Sequence, residues 1–87
     1  MKITVLDFTY FDSAENVHRY IAEKLGFPEY YGENLDALYD VLSVWPDPVR
    51  FYLVLCGREY EKGFSEVISD VSEENSRISF YCAKLPE

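Results

Sequence analysis

The sequence predicts a small α/β domain, a three-stranded parallel sheet packed against helices. Three observations lead there. Lys2–Phe8, Val49–Leu55 and Arg77–Lys84 are rich in apolar, β-branched and aromatic residues, with alternation or a near-continuous apolar run, as strands require. Stretches with helical spacing separate them, so each strand is followed by a crossover and the strands run parallel. The chain has 87 residues, 48% of them hydrophobic and 17% aromatic. At that length roughly 60–65% of the unfolded surface can be buried, enough for one core and hence one domain over residues 1–87.

Taking the elements in order, Lys2 to Phe8 reads as an interior strand. Asp12 or Ser13 can cap the helix that follows, Asp12 and Glu15 forming a capping box. Ala14, Val17, Ile21 and Leu25 repeat at helical spacing, and Gly26 closes the helix at its C′ position. His18 is read as a surface or boundary residue, because no motif sets a Ser, Cys or carboxylate beside it. Pro28 forbids helical continuation and sends the chain extended into Tyr30 and Tyr31. Asn34 is a good N-cap, so a second helix begins at Leu35, with Gly32 free to adopt positive φ or to let another backbone come close. Leu35, Leu38, Leu42 and Trp45 then share one stripe. This helix stops near Val44 or Trp45, since Pro46 and Pro48 follow.

Val49 to Leu55 is almost wholly apolar, as a parallel strand buried on at least one face should be. Gly57 to Gly63 is polar and irregular, with room for one helical turn. Phe64, Val67, Ile68 and Val71 mark a third helix that turns Glu66, Ser69 and Glu73 outward. The last strand alternates, with Ile78, Phe80 and Cys82 on one face and Ser79, Tyr81 and Ala83 on the other. With three strands, helices on one side of the sheet suffice.

Charge narrows the function. Eight Lys and Arg stand against 16 Asp and Glu, a net charge of −8. Such a surface repels nucleic acid and anionic membrane and attracts basic proteins, so neither direct nucleic-acid binding nor membrane association is expected. No apolar run approaches the ~18 residues of a membrane span. The absence of a basic-then-apolar leader, with two cysteines lying in strand-like runs, points to a reduced cytoplasmic setting.

The remaining signal is concentrated in Pro28 to Asp40. Asp36 and Asp40 fall on the helix side opposite the apolar stripe, where like charges at i, i+4 cost the isolated helix roughly 0.2–0.5 kcal/mol. Folding does not ask for them there; a cationic partner would. Tyr30 and Tyr39 add amphipathic area beside the charges. A retaining-glycosidase reading of the two carboxylates lacks a cleft to separate their pKa values. A metal reading lacks further oxygen ligands in a fixed loop. No enzyme activity, metal or cofactor is therefore expected.

The run Pro28-Glu29-Tyr30-Tyr31-Gly32-Glu33-Asn34-Leu35-Asp36-Ala37-Leu38, followed by Tyr39, Asp40 and Trp45, resembles the signature of the barstar family. These are small intracellular inhibitors of secreted ribonucleases of the barnase type, and the order of elements over nearly the whole chain is also theirs. The resemblance implies that Asp40 enters the phosphate site of an extracellular ribonuclease, with Tyr30, Gly32, Asn34, Asp36, Tyr39 and Trp45 around it. An acid on the last helix, aligned as Glu73, joins them. Tyr39 and Val44 stand where the best-known member of the family has Trp and Gly. Trp45 also fits the buried stripe, and Gly32 also fits a plain turn. The alternative is an acidic immunity protein for an unrelated toxin, or a nucleic-acid mimic in which scattered acids such as Glu59, Glu61, Asp70 and Glu74 would matter.

Overall fold

A computed structural model describes residues 1–85; the last two residues of the expected domain lie outside the described residues. Strands β1 (Lys2–Asp7), β2 (Val49–Leu55) and β3 (Ile78–Lys84) form one parallel sheet in the order β1-β2-β3. Helices α1 (Ala14–Leu25), α2 (Leu35–Ser43) and α3 (Glu61–Glu74) connect them, with a 3-10 turn at Phe8–Tyr10. The predicted class, strand count and direction are those observed.

The core lies on one face of the sheet. Leu6 from β1, Val49, Phe51 and Leu53 from β2, and Ile78 from β3 meet Val17 and Ile21 of α1, Leu38 and Leu42 of α2, and Phe64, Ile68 and Val71 of α3. Register explains the split. The rows Ile3/Arg50/Ser79, Val5/Tyr52/Tyr81 and Asp7/Val54/Ala83 alternate with the core rows and point to the opposite face. There Ile3 and Val5 remain about half exposed, at 53% and 46%.

Several expectations need correction. β1 is an edge strand and not interior, because β2 alone has two neighbours. It ends at Asp7, whose carboxylate accepts from the Thr9 amide (3.0 Å) and turns the chain into the 3-10 segment that buries Phe8. Of the two caps the sequence allows, Ser13 is the one used, its hydroxyl accepting from the Asn16 amide at 3.2 Å. Gly26 does close α1 in the left-handed region (φ 74°), where a side chain would be strained. Helix α2 stops at Ser43, short of the expected end. On β3, Phe80 and Cys82 are exposed although they share the face of Ile78, because the helix layer does not extend over the outer half of this edge strand.

The segment expected to be irregular up to Gly63 is helical from Glu61. Gly63 is needed inside α3, since a Cβ there would come 2.6 Å from Leu35 Cδ1. The two helices approach through a missing side chain. Helix α3 has no side-chain N-cap; Glu61 in its first turn reaches back to the loop from β2. Its carboxylate is buried and accepts from the amides of Cys56 (2.9 Å), Gly57 (3.2 Å) and Arg58 (2.9 Å). Burial pushes this carboxyl up, but the amides of Cys56, Arg58 and Gly57 together with the Cys56 thiol outweigh it and hold Glu61 below its ordinary value.

A carboxyl with a depressed pKa in the fold contributes stability above its unfolded pKa and loses it as pH falls through the folded value. Glu61→Ala should therefore cost about 1–3 kcal/mol at pH 7 in urea unfolding, leaving three amides without their acceptor. The gap to wild type should narrow as pH drops below the ordinary carboxylate range. A gap constant from pH 7 to pH 3 would contradict the clamp.

Candidate functional site

The candidate site is built by one loop and two helices. From Gly26 the chain turns at Pro28, whose carbonyl accepts from the Tyr31 amide at 3.0 Å. Phe27 packs edge-on against Tyr31 and Trp45, with ring centroids 4.9 and 5.2 Å away. Tyr31 is half-buried and its hydroxyl lies 2.6 Å from His18 Nδ1. His18 is thus not a surface residue. It is 3% exposed, tilted against the Phe64 ring with centroids 4.7 Å apart, and burial lowers its pKa against the opposing pull of Glu33. Burial, then the Glu33 charge, raise the Tyr31 phenol. The sequence motif thus divides: Tyr31 faces inward and anchors the loop, while Tyr30, 87% exposed, stands free in solvent.

Gly32 does not use positive φ; its neighbour Glu33 does, at 51°. What Gly32 provides is space. A Cβ there would lie 3.2 Å from Asn34 Nδ2 and 3.5 Å from Ala37 Cβ, and Asn34 Nδ2 donates to the Gly32 carbonyl at 3.3 Å. Asn34 Oδ1 accepts from the Ala37 amide at 2.8 Å, the N-cap expected from sequence. Arg19 holds Glu33 weakly (3.8 Å) while hydrogen-bonding Glu15, so that glutamate is occupied within the chain.

With its start fixed, α2 buries Leu38 and Leu42 completely and leaves Asp36 and Asp40 exposed. Among the described residues neither aspartate is in an ion pair with a cation of its own chain. Asp36 lies in the first turn, where the helix dipole favours it; Asp40 has no such support. Tyr39, half-buried, is turned toward α3. The Glu74 carboxylate beside it, partial burial, and the charges of Asp70 and Asp40 raise its phenol pKa. Asp40, Tyr39, Asp70 and Glu74 therefore form one patch across α2 and α3. Glu73 is exposed in the last turn of α3, which carries Glu73 and Glu74 and no base. Acids at a helix C-terminus oppose its dipole by about 0.3–1 kcal/mol each, so α3 does not gain from them. Trp45 is half-buried against the core through Phe27, with part of its ring still accessible.

Sequence reasoning missed the residue that ties the two helices together. Asn75, 7% exposed at the end of α3, donates from Nδ2 to the carbonyls of Leu42 and Trp45, both at 3.0 Å. The Leu42 carbonyl also accepts from the Trp45 amide at 3.2 Å, so Asn75 adds a second donor there and supplies one to the Trp45 carbonyl just past the helix end. An asparagine after a helix reads equally as a cap or a turn residue, so its target 30 positions away carries no local signal. No helix among the described residues is long and apolar enough to cross a membrane, and none of them cluster as a metal site.

Asn75→Ala should cost about 1–3 kcal/mol in denaturant unfolding, since the Trp45 carbonyl loses its donor and the Leu42 carbonyl keeps only the Trp45 amide. Amide exchange should quicken along Leu38–Ser43 before it does in β2. Unchanged protection there would show that Asn75 does not hold α2.

Two comparisons bear on this geometry. The family model described as "Barstar (barnase inhibitor)" matches residues 1–83. A curated Bacillus subtilis (strain 168) protein named "Putative ribonuclease inhibitor YrdF" is 38% identical over 82 residues, covering 85% of this chain and 89% of its own length.

Proposed function

Because the chain belongs to the barstar family, we propose that it is a non-catalytic inhibitor that binds a ribonuclease and closes its active-site cleft with the acidic face of α2. The observation that carries this reading is the exposure of Asp36 and Asp40 on a helix that buries Leu38 and Leu42 on its other side, with no cation of the described chain engaging them. An enzyme that cleaves RNA grips phosphates with arginine, lysine and protonated histidine, so its open cleft is positive. Carboxylates set at phosphate positions on a rigid helix can fill it without the entropy of ordering a loop.

In this proposal the partner is an extracellular ribonuclease of the barnase type and Asp40 takes the central phosphate position. Asp36, at about 5–6 Å from it along the helix, supplies the second carboxylate. Tyr30 and Tyr39 flank the charges, Gly32 and Asn34 bring the loop backbone close, Trp45 borders the far end, and Glu73 contributes from α3. Asp70 and Glu74, which neighbour Tyr39, widen the negative patch. The inhibitor would stay in the cytoplasm of the cell that secretes the nuclease. Both of its cysteines are free thiols, as a reducing compartment allows.

A diffuse acidic mimic of nucleic acid is the rival, and the two differ in how the energy is distributed. Interface energy concentrates in a few anchors. Asp40→Ala should weaken binding to a barnase-type ribonuclease by at least ~2 kcal/mol, and Glu23→Ala, an exposed acid on α1, by less than ~0.5 kcal/mol. Glu61 is unsuitable as the comparison because its carboxylate is built into the fold. Equal losses from Asp40 and Glu23 would favour the mimic.

A further inference from the structure

The strands differ in charge from the rest of the chain. The three strands carry one carboxylate, Asp7, of the 16 in the chain. Lys2, Arg50 and Lys84 lie on the strands and Arg77 precedes β3, which accounts for half of the eight basic residues. Acidity is thus concentrated outside the strands, while the strands and the approach to β3 are net basic.

β3 is an edge strand flanked by two of these cations, Arg77 and Lys84. Hydrogen bonds at its two ends fix which backbone groups are free: the Arg77 carbonyl accepts from the Val49 amide (2.9 Å), and the Leu85 amide donates to the Leu55 carbonyl (2.9 Å). In a parallel ladder this parity turns the amides and carbonyls of Ser79, Tyr81 and Ala83 toward β2. Those of Phe80, Cys82 and Lys84 point away from the sheet. The same strand exposes Phe80 (37%) and Tyr81 (62%), and Leu85 follows at 42%. Proteins ordinarily blunt such an edge with proline, a bulge or an inward charge. β3 has none of these within Ile78–Ala83, only cations beyond each end of that run.

We propose that the free edge of β3 is a second binding site, which takes an extended, acid-flanked polypeptide segment as a fourth strand. Backbone pairing with Phe80, Cys82 and Lys84 supplies affinity, apolar side chains cover Phe80 and Tyr81, and acids at the ends meet Arg77 and Lys84, roughly 23 Å apart. The same charges disfavour a second copy of the chain. Two β3 strands paired antiparallel about Tyr81 would set each Lys84 beside the partner's Ile78 and next to its Arg77, and like charges across strands repel. The edge lies across the sheet from α1 and outside the acidic face of α2, so this proposal does not depend on the ribonuclease reading.

The test uses the full chain, isotope-labelled, with two synthetic eight-residue peptides of alternating valine and threonine, one flanked by glutamates and the other by lysines. The glutamate peptide should shift the amides of Phe80, Cys82 and Lys84 and protect them from exchange. The lysine peptide should bind at least about fivefold more weakly. Cys82→Pro removes one outward N–H while sparing the β2–β3 ladder, and should abolish the effect; Arg77→Glu with Lys84→Glu should reverse the preference and serves if the proline variant fails to fold. Absence of shifts with millimolar glutamate peptide would overturn the proposal. So would concentration-dependent dimerisation through β3, or the same shifts from an oligouridylate, which would assign the edge to a second copy or to RNA.

Discussion

The proposed function depends on one-sided burial of a nine-residue helix. Leu38 and Leu42 are driven wholly out of water, and at about 25 cal/mol per Å2 of apolar surface their burial far exceeds the few tenths of a kcal/mol by which Asp36 and Asp40 repel each other. The rotation of α2 about its axis is therefore decided by the leucines. The carboxylates have no alternative to facing solvent, and they do so on a surface that cannot relax away from a partner.

A helix this short is not stable alone, so its position is set from outside. Two hydrogen-bonding side chains and one close approach do so. Asn34 fixes the first turn, Asn75 holds the last carbonyls, and the absent side chain of Gly63 lets α3 come close to Leu35. Behind the loop, Tyr31 and His18 share a hydrogen bond under the core edge, and Phe27 joins Tyr31 to Trp45. The exposed acids thus rest on a buried scaffold of aromatic rings and amides. The net charge of −8 is distributed to match: acidic on the helices, nearly free of carboxylate on the strands.

What could be read in the sequence was what local periodicity and capping determine. Asn34 before an apolar stripe, Gly26 after one, and the alternation of the strands each specify an element without reference to the rest of the chain. The outward placement of Asp36 and Asp40 followed from helical spacing alone. What could not be read depends on contacts between distant positions. His18 looked like a surface residue because its partner, Tyr31, comes from another segment, and Glu61 looked like one more surface acid because its acceptor role needs the loop at Cys56–Arg58 folded beneath it. β1 read as interior because its composition suits a buried strand; strand order is set by crossovers, which composition does not encode. Phe80 and Cys82 alternate properly, yet alternation says nothing of how far the helix layer extends.

The central claim is that the acidic face of α2 occupies the cleft in which a ribonuclease holds RNA. Its most direct test is a titration of this protein into a barnase-type ribonuclease at fixed enzyme concentration, with RNA cleavage as the readout. Cleavage should fall linearly to zero at one equivalent, and RNA added before the inhibitor should slow the onset of inhibition. Full turnover in the presence of a large molar excess, or an onset that prior RNA does not slow, would contradict the account.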